Sequence, residues 1–229
     1  YGDHRDLHLS IRRQRQMCIR DRILALATRL GDYTQAVRQG YWQQSEVFCL
    51  LDYPIRELAG QTLGIIGLGN LGRRVARIAE GFQMQVLVCA RPGSQEIPDG
   101  RVPLDTLLEE SDVISLHCPL SDATRNLIGK AQLQQMKSDA ILINTARGGI
   151  VNENDLAAAL RQGEIGGAGI DVLTEEPPDA SHALLAPLIV MPMFTLSGCV
   201  GPTKSRNYRM DLAKLIYPED AKYGEDLDL

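Results

Sequence analysis

Gly67-Leu68-Gly69-Asn70-Leu71-Gly72 follows a short apolar run and opens a helical pattern. Two linked phosphates suit such a bend. Gly67 allows the tight turn, Gly69 lets backbone N–H groups approach a pyrophosphate, and Gly72 lets the helix pack closely on the strand. The anion then lies on the positive end of the helix dipole. Three further apolar runs end in polar residues: His117-Cys118-Pro119-Leu120, Asn144-Thr145-Ala146-Arg147-Gly148-Gly149 and Asp171-Val172-Leu173-Thr174-Glu175-Glu176-Pro177. An arginine followed by two glycines can clamp a small carboxylate against a bound cofactor. Each residue alone has a plainer reading: Arg147 as a surface ion pair, Glu176 as a turn residue before Pro177, His117 as strand-end packing. Their joint spacing is what points to chemistry.

The strand after the glycine bend bears on which dinucleotide binds. An acid at its end would hold a ribose 2′-hydroxyl, but Ala90 stands there and Arg91 follows. An arginine without a competing carboxylate suits a 2′-phosphate, which favours NADP among the NAD(P) cofactors. The alternative is that Arg91 covers adenine or faces solvent.

These residues need a scaffold, and the surrounding pattern supplies one. Apolar runs at 63–67, 84–90, 113–116, 140–144, 167–172 and 188–191 read as strands. Helical periodicity predicts helices over 23–38, 71–81, 104–110, 130–136 and 153–162, with Asn152 as N-cap of the last and Asp155 three residues on. Continuous Val/Ile/Leu strands alternating with helices imply an α/β fold, a doubly wound parallel sheet of the Rossmann type. Ligands in such sheets bind outside the carboxyl ends of the strands, where the polar segments converge.

Composition narrows the rest. The chain has 229 residues, 44% hydrophobic and 23% charged, which is ordinary globular usage. Its net charge of −5 argues against a nucleic-acid partner. No apolar run approaches a membrane span. Five widely spaced cysteines without a Cys-x-x-Cys pair read as reduced thiols in a cytoplasmic protein, with no metal site. Residues 1–22 are polar and Arg-rich and are expected to be a disordered or non-native leader. Within them, 13–22 read like translated sequencing-adapter sequence, in which case the natural chain continues upstream. Residues 23–193 form the expected dinucleotide-binding domain, and 194–229 a divergent, poorly ordered tail ending in Glu225, Asp226 and Asp228.

The stretches Gly67–Gly72, Leu116–Leu120 with Thr124–Ile128, Asn144–Val151 and Gly167–Pro177 resemble the cofactor domain of D-isomer-specific 2-hydroxyacid dehydrogenases. The local wording is most similar to the glycerate dehydrogenases, also called hydroxypyruvate reductases. The resemblance implies hydride transfer between NAD(P)H and a small 2-keto or 2-hydroxy acid, hydroxypyruvate or glyoxylate, in a homodimeric parent enzyme. It implies that Arg147 holds the substrate carboxylate and keto oxygen, and that Glu176 pairs with a catalytic histidine. Asn70 and Leu71 would touch the pyrophosphate, while Cys118, Pro119, Thr145, Ala146 and Asp171 would line the ribose and nicotinamide.

The pattern departs from the family at one chemical position. Family members carry the acid histidine just past the last parallel strand, where this chain has Met193, and a thioether transfers no proton. His182 precedes that strand, and His117 is expected only to line the cofactor pocket. The N-terminal half of the substrate domain is expected to be missing before Ile23, leaving the 23–38 helix with an apolar stripe and a tendency to self-associate. A non-catalytic dinucleotide sensor or partner-binding module is the competing expectation.

Overall fold

The computed structural model describes residues 19–94, 96–185 and 190–192. Six parallel strands make one sheet: β1 (Thr62–Ile66), β2 (Gln85–Val88), β3 (Val113–Leu116), β4 (Ile141–Asn144), β5 (Gly167–Ile170) and β6 (Val190–Pro192), in the order β2-β1-β3-β4-β5-β6. A single parallel bridge between Cys89 and Val102 extends the β2 edge. The doubly wound parallel architecture expected from the sequence is therefore present.

Side-chain alternation divides the core into two layers. Leu63, Ile65, Val113, Ile141 and Ile143 pack with α1 (19–27) and α3 (Asn70–Gly81). Ile66, Ile114, Leu116, Leu142 and Ile170 pack with α4 (Leu104–Glu110), α5 (Lys130–Gln135) and α6 (Glu153–Gln162). Asn152 caps α6 by accepting from the Asp155 N–H at 3.1 Å. The Asp155 carboxylate does not reach back to complete a capping box; it accepts from the Lys130 N–H at 3.0 Å and ties α6 to α5 instead.

The predicted 23–38 helix is two helices. Arg29 adopts φ 54°, a left-handed conformation that ends α1 and starts α2 (Leu30–Arg38). The break has a cause in packing: the Tyr33 hydroxyl donates to the Tyr53 carbonyl at 2.7 Å, and the two rings meet edge to face at 5.2 Å. This redirects α2, so Leu30 and Val37 are exposed while Ala36 is buried. The expected boundary at residue 22 also needs moving. Residues 19–22 are helical, and Ile19 and Arg22 are fully buried, so α1 reaches back at least to Ile19. The remainder of the leader, Met193 and the 194–229 tail lie outside the described residues.

Candidate functional site

One row of paired residues ends the sheet. Ile66 stands opposite Leu116, Leu116 opposite Asn144, Asn144 opposite Ile170, and Ile170 opposite Pro192. Gly67, His117, Thr145 and Asp171 are therefore the first residues past the row, all on one edge. Gly67 and Thr145 are separated by two strand spacings, about 10 Å. Because β1 pairs with β2 on one side and β3 on the other, this edge holds the topological switch point.

The bend at Gly67 is built by close approach. Gly67 has φ 102°, and a Cβ there would lie 2.7 Å from the Cys118 nitrogen and from the His117 carbonyl carbon. A Cβ at Gly72 would run into the Gly67 oxygen, whereas Gly69 has nothing within 4 Å of such an atom. The first helical bond of α3 runs from Arg73 N–H to Gly69 O at 3.0 Å, which leaves the Asn70, Leu71 and Gly72 amides without intrahelical acceptors. A crowded base, an open space and unsatisfied amides facing it fit a pyrophosphate.

The neighbouring loops supply neutral polar groups. His117 Nε2 lies 3.0 Å from Ser115 Oγ, and burial pushes the imidazole down to about 4. Its Nδ1, and the Oγ1 of Thr145, are buried with no partner among the described residues. Burial also raises the Cys118 thiol, and it raises the Cys89 thiol to about 11 with help from nearby Cys118. These groups are uncharged, and the two orphaned polar atoms, His117 Nδ1 and Thr145 Oγ1, suit in kind the hydroxyl and amide groups of a dinucleotide. Pro119 is exposed, Ala146 half-buried, and Arg91 exposed past buried Ala90.

Buried Asn144 organises the β4 loop. Its Oδ1 accepts from Ala146 N–H at 3.1 Å and its Nδ2 donates to Arg147 O at 3.0 Å. Among the described residues the exposed Arg147 guanidinium bonds its own neighbour, donating to Ala146 O at 2.7 Å. Gly148 has no room for a Cβ, which would meet the Leu173 carbonyl and sit 2.5 Å from Thr174 N. The Arg147 loop is thus laid on the loop after β5. There Glu176 accepts from Leu173 N–H at 2.8 Å, closing a turn.

Two contacts add to the expected site. Asp171 Oδ1 accepts from Arg22 Nη2 at 2.6 Å, so this carboxylate is held by α1 as well as standing at the cofactor edge. His182 Nε2 lies 2.9 Å from Glu153 Oε2. Sequence reasoning missed Arg22 and Glu153. Arg22 belongs to a stretch that reads as a leader, and Glu153 has the pattern of an ordinary acidic first-turn residue. Among the described residues no helix is long and apolar enough to cross a membrane, and no His/Cys/Asp/Glu group could hold a metal.

A parallel doubly wound sheet with a glycine bend and open helix N-terminus at its switch point defines a dinucleotide-binding domain of oxidoreductase type. Residues 21–197 match the family of D-isomer specific 2-hydroxyacid dehydrogenases, NAD binding domain, and the chain belongs to that family. It is 49% identical over 175 residues to the glycerate dehydrogenase of Methylorubrum extorquens, covering 74% of this chain and 54% of that protein. Among solved structures it is similar to D-lactate dehydrogenase with NAD+ from Lactobacillus jensenii, with TM-score 0.65, 32% identity, and coverage of 79% of this chain and 58% of that one. An acyclic imino acid reductase (Bsp5) in complex with NADPH and D-Arg matches with TM-score 0.66 and 30% identity, covering 76% of this chain and 54% of that one. The chain spans little more than half the length of these proteins.

Proposed function

We propose that this chain is the cofactor half of an enzyme that transfers hydride between NAD(P)H and a small 2-keto or 2-hydroxy acid, hydroxypyruvate or glyoxylate. The shared register row carries this reading, because it sets the glycine bend and the Arg147 loop about 10 Å apart on one edge. The names of relatives, glycerate dehydrogenase and glyoxylate reductase among them, agree with it.

The reduced nicotinamide supplies the hydride when bound. The amides of Asn70, Leu71 and Gly72 would hold the pyrophosphate, and Thr145 Oγ1 and His117 Nδ1 would be available to hydrogen-bond the dinucleotide. Neutral His117 and the neutral thiols add no charge against that anion. Arg147 neutralises the substrate carboxylate and stabilises negative charge developing on the keto oxygen. Glu176 is the carboxylate that would raise the pKa of an acid histidine. Met193 in the acid position makes turnover by this chain slow, since a thioether has no proton to give. Titration with NADH and NADPH, then following their oxidation with hydroxypyruvate, tests the assignment; no dinucleotide binding overturns it.

The 2′-phosphate form is preferred, because Arg91 stands exposed beyond Ala90 with no carboxylate in that place. Arg91→Ala should weaken NADPH about tenfold and leave NADH unchanged, the loss of one charge-assisted contact; equal effects on both would refute the preference. The competing reading, a dinucleotide sensor without chemistry, is favoured by the engagement of His182 with Glu153. Binding with no turnover in the natural full-length protein would select it. The parent enzyme is a cytoplasmic homodimer on this proposal, with exposed Trp42, Phe48 and Leu51 as the self-association surface.

A further inference from the structure

We propose that Glu153 is a positioning residue for the substrate-facing loops and that His182 locks it in place. The inference rests on Arg147 and Glu176 being the substrate-facing pair. Glu153 is the first residue of α6, yet its carboxylate makes its hydrogen bonds outside that helix. Oε1 accepts from the Thr174 N–H at 2.7 Å and the Thr174 hydroxyl at 2.8 Å, and Oε2 is 2.9 Å from His182 Nε2. The tautomer follows from the other ring nitrogen. Leu184 N–H donates to Nδ1 at 3.3 Å, so the proton sits on Nε2 and is donated to Glu153. The two side chains are only 17% and 15% exposed, so this pair is shielded from competing water.

What the carboxylate grips is the junction of the two loops. The Leu173–Thr174 peptide lies against Gly148 with no space between, Leu173 N–H is held by Glu176, and Thr174 is held by Glu153. Any shift of Thr174 therefore moves Glu176 on its own loop and Arg147 on the loop packed against it. The helix does not need Glu153 for its own stability: Asn152 caps it, and Leu156, Ala157 and Leu160 bury it. His182 accordingly has its Nε2 proton committed to a loop clamp.

The variants Glu153→Ala, Glu153→Gln and His182→Gln test this. An amide offers a single oxygen, so Gln at 153 can serve Thr174 or His182 but not both, while Gln at 182 still has a donor for Glu153. Hydrogen–deuterium exchange in 146–149 and 172–177 should rise about tenfold in E153A, less in E153Q and least in H182Q, with 67–81 unchanged. Oxalate affinity on the NADH-loaded chain should fall about tenfold in E153A, with NADH affinity held within twofold and H182Q close to the parent. Unchanged exchange in 146–149, or uniform loosening that includes 67–81, overturns the proposal. Loss of NADH affinity equal to the loss for oxalate does so too. Failure of the parent chain to bind NADH is a different result: it removes the functional reading, and the exchange pattern alone then decides whether Glu153 couples the loops.

Discussion

Gly148 makes a closer backbone approach than any other glycine among the described residues. Gly148→Ala must force the Leu173 carbonyl away, which costs about 3 kcal/mol at the overpacking end of core substitutions. Chemical denaturation should show that loss, and a change under 1 kcal/mol would mean the two loops part easily. His117 makes a second prediction, in pH. Its folded pKa of about 4 lies below the ordinary 6.5, so the unfolded chain takes up this proton first as pH falls. The stability it contributes is complete above pH 6.5 and is lost on the way down to pH 4, by up to about 3 kcal/mol. His117→Asn should flatten the stability profile across that window; an unaltered slope would show that other groups carry it. The glycine bend was legible in the sequence because its demands are local, a turn and a helix start within six residues. The Glu153 clamp was not, since its partners lie 21 and 29 residues away.

Strands and helices were read correctly in kind wherever the hydrophobic pattern alone decides them. α4 and α6 begin and end at the predicted residues, and β3 does likewise. The strand ends at 67, 90 and 172 were overrun by one or two residues: apolar Cys89 and Ala90 continue past the last β2 ladder pair, while Gly67 and Asp171 already belong to the loops that follow β1 and β5. The α1–α2 break escaped notice for a tertiary reason: nothing at Thr28-Arg29 marks a stop, and the Tyr33–Tyr53 contact that turns the chain is remote in sequence. The ion pair of Arg22 with Asp171, 149 residues apart, was equally invisible. At this scale it predicts that α1 is fastened to the end of β5. Arg22→Met removes one charge-assisted bond from Asp171, a carboxylate that is only 17% exposed, and should cost about 2 kcal/mol. A variant as stable as the parent would show that the pair contributes nothing net.

The segment from Tyr41 to Ile55 exposes several large apolar side chains. Phe48 is 91% exposed and Leu51 78%, with Tyr41, Trp42, Val47 and Ile55 near them in sequence. So many exposed large apolar side chains within fifteen residues predict self-association. Size-exclusion chromatography with light scattering should give a dimer or larger species, and the double change Phe48→Ser with Leu51→Ser should shift it towards monomer. A parent chain that runs as a monomer would contradict this.

The common row at which β1, β3, β4 and β5 end also decides where the chain tolerates surgery. Slipping one strand by two residues keeps the same face buried but drags its loop about 7 Å along the sheet, out of reach of its neighbours. The turns at the amino ends, such as Gly163-Glu164 between α6 and β5, sit at the far edge. New termini, epitope tags or fused reporters can enter there without touching the cofactor edge.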